Sequence, residues 1–133
     1  MTRYDPEIAP DPTAWLALGE QARIDSIRAY HHQARTKPPN LHAHAVFHVI
    51  IENQIAGSLP PVQRAMARLM SDGLSRHDAL HAIGSVLSEH LVELSKADTQ
   101  DTPEAANSRY FAALERITAK LRGQEYGDED GSR

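Results

Sequence analysis

A chain of 133 residues with 41% hydrophobic and 24% charged side chains is sized for one domain around one hydrophobic core. Its net charge of -4 speaks against the basic surface that nucleic-acid binding usually requires. With no cysteine, a disulfide framework, a thiolate zinc site and a cysteine nucleophile are excluded, so any metal must be held by imidazole and carboxylate. No apolar run is long enough to span a bilayer, and the start Met1-Thr2-Arg3-Tyr4-Asp5-Pro6 has no basic-then-apolar leader, so the expectation is a soluble, cytoplasmic protein of bacterial type.

Residues 1–10, rich in Pro, Asp and Glu, predict an extended arm. Asp11-Pro12 reads as a cap with proline in the first turn, opening a short helix that carries Trp15, Leu16 and Leu18 and breaks at Gly19. A longer helix follows over about 20–35, with Ile24, Ile27 and Tyr30 at helical spacing and His31 alongside. Thr36-Lys37-Pro38-Pro39 stops it, because proline cannot continue a helix and restricts the residue before it. Asn40 caps a third helix that runs to Ala56 and ends at Gly57. This helix is apolar over a wide arc (Leu41, Ala45, Val46, Val49, Ile50, Ile51), which predicts a central position and is compatible with a homodimer.

Leu59-Pro60-Pro61 opens the next helix, with Val62, Ala65, Met66, Leu69 and Met70 as its buried stripe. After the turn at Asp72-Gly73-Leu74, Ser75 caps a long helix to about Lys96, whose apolar stripe is Leu80, Ile83, Leu87, Leu91 and Leu94. A polar loop at 97–102 leads to a last helix opened by Thr102-Pro103-Glu104, with Tyr110, Leu114, Ile117 and Leu121 facing inward. No segment alternates with the period of a strand. The reading is an all-α, single-domain bundle of five to six helices over 11–122, followed by a disordered acidic tail over 123–133.

Histidine is the outstanding feature of the composition. Six of the eight fall in or near two stretches: His42, His44, His48, and His77, His81, His90. His44 and His48 are four apart, as are His77 and His81, so each pair projects from one face of its helix. Glu52 continues the first series, but lies about 12 Å of helical rise from His44. Packed helices lie about 8–10 Å apart, so imidazoles from both can meet in the gap. Two arrangements follow. One metal can take three or four ligands from His44, His48, His77 and His81, with Glu52 beside it as a hydrogen-bond partner or base. Alternatively two metals sit side by side with Glu52 binding or bridging. A set rich in histidine and poor in carboxylate favours the first arrangement, with zinc or iron as the divalent transition metal. His42 falls off the face of His44 and His48, His90 lies a quarter-circle round from His81, and His31 is placed equally well to be exposed or to bring an outside ligand.

His77-Asp78-Ala79-Leu80-His81 also resembles the His-Glu-x-x-His run of zinc proteases, with Asp78 where the general base would stand. That chemistry needs a third ligand and a substrate-binding edge strand, for which the chain offers no candidate.

The pattern His44-x-x-x-His48-x-x-x-Glu52-x-Gln54, followed by Arg76-His77-x-Ala79-x-His81, resembles the bacterial family known as domain of unknown function 1841. The resemblance covers about residues 40–94, with Asn53 and Asp78 standing where that family commonly has an acid and a glutamate. It implies a small helical protein with these histidine positions, and it implies no reaction. A metal-bound water activated by Glu52 would suit hydrolysis, and a bound iron would suit oxygen chemistry. Two other classes compete. Residues 62–87, with Arg64, Arg68 and Arg76, read as a helix-turn-helix DNA-binding regulator. A non-metal structural or interaction bundle would use the same histidines as a buried hydrogen-bond network.

Overall fold

The computed structural model describes residues 3–33, 40–96 and 102–117. These form six helices in chain order: α1 (Pro12–Ala17), α2 (Glu20–Gln33), α3 (Leu41–Ala56), α4 (Pro60–Ser71), α5 (Arg76–Lys96) and α6 (Pro103–Arg116). No strand occurs among the described residues, so the all-α expectation stands. None of these helices is long and apolar enough to cross a membrane. The proline stop at 36–39, the loop at 97–101, Leu121 and the tail at 123–133 lie outside the described residues.

The helix boundaries follow local chemistry. The Asp11 carboxylate accepts the Ala14 N–H at 2.9 Å ahead of Pro12. Asn40 does the same for Ala43 at 3.0 Å, Thr102 for Ala105 at 3.1 Å and Ser75 for Asp78 at 3.1 Å. Each satisfies a donor that the first helical turn leaves without a partner. Arg23 closes the other end of α1 by donating to the Leu16 and Leu18 carbonyls. Between α4 and α5 the chain reverses through Gly73 at φ 108°, a conformation that costs a side-chain-bearing residue strain and glycine little.

Helix α3 separates two apolar clusters and contributes to both. On one side Ile51 joins Val62, Leu69, Leu80, Ile83 and Leu114 from α4, α5 and α6. On the other, Ala45 and Val49 meet Tyr4, Trp15, Ile24 and Ile27 from the N-terminal segment, α1 and α2. The wide apolar arc on α3 is therefore spent inside one chain. Two residues expected in buried stripes face outward. Met70 is 44% exposed because its neighbour Leu69 takes the inward position, and successive residues on a helix differ by about 100°. Leu91 is 43% exposed, and Leu87 is the last buried residue among those described on α5.

The N-terminal segment is packed rather than loosely extended. Tyr4 and Pro6 are buried, and the Ile8 N–H closes a turn on the Asp5 carbonyl at 3.0 Å. The segment meets α3 through Tyr4 on Glu52, and α5 through the Pro6 carbonyl on Arg76 and the Glu7 carboxylate on the His77 N–H.

Candidate metal centre

Four histidines from three helices converge: His31 from α2, His44 and His48 from α3, and His81 from α5. One nitrogen from each lies within 4.8 Å of the others. The tightest part is a trio. His48 Nε2 is 3.1 Å from His44 Nε2 and 3.1 Å from His81 Nε2. Nitrogens bound at 2.0–2.1 Å around a tetrahedral ion lie about 3.3 Å apart, so this spacing is close to that of a shared ion's ligands.

Within the trio, His48 is poorly served by hydrogen bonding alone. A ring nitrogen of neutral imidazole carries either one N–H or one lone pair. His48 Nε2 can therefore serve both neighbours only through a single shared contact. His48 is 3% exposed, and its Nδ1 is buried with no hydrogen-bond partner among the described residues. A cation placed among the three Nε2 atoms would accept all three lone pairs at once.

His31 is set up by its own helix. Its Nδ1 lies 2.9 Å from the Ile27 carbonyl, which can only accept, so Nδ1 carries the proton and Nε2 the lone pair in the neutral ring. Fixing the tautomer through a backbone carbonyl is the usual way a histidine is prepared for a metal. Its ring centroid is 4.6 Å from that of His44 and 5.2 Å from that of His48. His31 is buried because it continues the inward series of Ile24 and Ile27 on α2, at spacings of three and four. That series was the available sequence signal for it; the burial of His31 in the structure settles the position the sequence left open.

His77 stands beside the group rather than in it. Its ring is 4.3 Å from that of His81 and 5.4 Å from that of His48, and it meets the Tyr30 ring edge-on at 5.8 Å. Its backbone N–H donates to the Glu7 carboxylate at 3.1 Å. His42 and His32 are exposed, and His90 stacks on Tyr110 at 5.3 Å, away from the four.

Glu52 is turned to other partners. Its Oε1 accepts from Arg76 Nη2 at 2.8 Å, and its Oε2 accepts from Arg76 Nη1 at 2.8 Å and from the Tyr4 hydroxyl at 2.5 Å. Glu52 is 1% exposed and Arg76 6%. A carboxylate held by a guanidinium and a phenol offers little to a metal or to a proton in transit, and Glu52 is not one of the four converging residues. The sequence spacing put Glu52 on the histidine face; it could not show that Arg76 reaches it first.

Burial governs the electrostatics. It pulls the His44 pKa down to about 4, with the His31 and His77 charges adding to the effect. Burial likewise puts His48 well below the ordinary imidazole range, followed by repulsion from His81, His44, His77 and His31. His31 is lowered by burial, partly offset by its bond to Ile27. His31, His44 and His48 are thus held neutral, the form in which imidazole binds a metal. Tyr4 is raised by burial and by the Glu52 charge, so it remains a protonated donor. For Arg76, burial opposes the charge, but hydrogen bonding and attraction to Glu52 outweigh it and its pKa is raised.

The three arginines of the DNA-binding reading are all engaged within the chain. Arg64 pairs with Glu115 at 3.0 Å, Arg68 donates to the Leu114 and Ile117 carbonyls, and Arg76 is buried on Glu52. Comparison with protein-family models, with curated proteins and with solved structures finds no match for this chain.

Proposed function

We propose that this is a metal-binding helical protein that holds one divalent transition-metal ion among His31, His44, His48 and His81, with His77 at its edge. The observation that carries the reading is the meeting of three Nε2 atoms at 3.1 Å around His48 in a buried, neutral pocket. The arrangement with one ion is favoured over the one with two, because among the described residues no carboxylate joins the four histidines. A ligand set of imidazoles alone suits zinc, copper or nickel, and zinc is the first choice. Iron sites for oxygen chemistry commonly add a carboxylate, and Glu52 is committed to Arg76. Kinship with the domain of unknown function 1841, suggested by the His44, His48, His77 and His81 positions, belongs to the same proposal.

Metal content of the untagged protein tests this. The expected result is about one equivalent of metal per chain after incubation with zinc and removal of excess, with a rise in the thermal midpoint. Substoichiometric metal, together with an unchanged midpoint on adding Zn, Cu, Ni, Fe or Mn, would overturn it and favour the buried hydrogen-bond network.

A further inference from the structure

The Arg76–Glu52 pair joins the same two helices that carry His48 and His81. Glu52 follows His48 by four residues on α3, and Arg76 precedes His81 by five on α5. Around the pair the α3–α5 contact is apolar: Ile51 packs with Ala79, Leu80 and Ile83. Apolar packing is not directional, so it holds two helices together while tolerating small slides and rotations. A metal centre does not tolerate them. Ligand distances must be right within a few tenths of an ångström, and here two of the ligands come from opposite helices.

The ion pair supplies the missing direction. Its two parallel N–H to oxygen bonds, both 2.8 Å, fix the guanidinium and carboxylate planes relative to one another. The Tyr4 hydroxyl holds the same carboxylate oxygen, while the Tyr4 ring meets the His48 ring edge-on at 6.5 Å. The remaining tie runs from Arg76 Nη1 to the Pro6 carbonyl at 2.9 Å, anchoring the segment that carries Tyr4. Carboxylate, guanidinium and phenol are thus tied to one another, which gives them a mechanical part in the site.

We infer that Arg76 is a positioning residue for the metal centre: through its two-pronged grip on Glu52, it sets the α3–α5 register in which His48 and His81 can share one ion. The inference rests on the metal-binding reading above. It differs from a purely structural role, because a buried ion pair can often be replaced by apolar side chains of similar volume without loss of stability. Apolar replacements would restore the packing but not the register.

The test compares wild type, the double variant Glu52→Met/Arg76→Met and the single variant Arg76→Lys, using cobalt(II) as a visible probe of the ligand geometry. Folding is followed by circular dichroism in the presence of chelator. The double variant is expected to keep its helicity and a cooperative transition while binding cobalt(II) at least about 10-fold more weakly, with an altered absorption band. Arg76→Lys keeps the charge but loses the fork, and it is expected to lie between the two. Should the double variant not fold, Arg76→Lys carries the comparison by the same readouts. Wild-type affinity and an unchanged band in a folded variant would overturn the inference while leaving the metal site intact. If wild type itself takes up neither cobalt nor zinc, the metal reading has failed, and the positioning role falls with it.

Discussion

His48 and His81 lie 33 positions apart in the chain, yet their Nε2 atoms meet at 3.1 Å across the α3–α5 contact. Two ring nitrogens this close in a part-buried contact must share either one proton or one cation. His44 adds a third nitrogen at the same distance from His48, which sharpens the requirement. A shared cation meets it with all three rings in their neutral form.

Replacing His48 or His81 by Gln should remove metal binding, because an amide keeps hydrogen-bonding capacity but ligates transition metals poorly. His90→Gln should leave binding unchanged, since that ring stacks on Tyr110 outside the cluster. Titration calorimetry with zinc on the three variants distinguishes them: equal affinities throughout would contradict the assignment.

Without metal, His48 is a liability to the fold. Its Nδ1 is buried with no hydrogen-bond partner among the described residues, and its Nε2 must divide itself between two neighbours. His48→Leu, of similar size, should therefore stabilise the metal-free protein by about 1–3 kcal/mol, the usual cost of an unsatisfied buried polar group. Urea unfolding in chelator measures this, and a destabilised variant would show that the histidine contacts are worth more than they cost.

Stability of the metal-free protein should fall on mild acidification. The folded-state pKa of His44 lies at about 4, below the ordinary imidazole value of 6.5, and that of His48 is also depressed. Between those values the unfolded chain binds protons that the folded chain does not. The stability is fully present above about pH 6.5 and is lost progressively as pH falls towards 4. Denaturation midpoints at pH 7.5, 6 and 5 should decline in that order, and the decline should flatten in the His44→Gln/His48→Gln protein.

Arg76→Met alone should be far more damaging than the double replacement of Arg76 and Glu52. It would leave the Glu52 carboxylate, which is 1% exposed, without its counter-charge. The expected loss is about 3–5 kcal/mol, the usual result of breaking one side of a buried pair. A chemical denaturation series on the single and double variants gives the comparison directly.

Much of this architecture was legible in the chain itself. Asp11-Pro12, Asn40, Gly57, Pro60, Gly73, Ser75 and Thr102-Pro103 mark helix boundaries, because caps and breakers act through bonds to residues three or four away. The His44/His48 and His77/His81 pairs were visible for the same reason, as one helical turn sets their spacing. The chain's own periodicity likewise placed Ile24, Ile27 and Tyr30 in one row, with His31 alongside.

The tertiary structure decided which of these histidines meet. It drew His31 in from α2, set His77 to one side of the four and gave Glu52 to Arg76 and Tyr4. None of this could be read locally, because the relative rotation of α2, α3 and α5 depends on side chains dozens of residues apart. Helical spacing fixes the face on which a side chain stands; only the packed neighbour determines what that face touches.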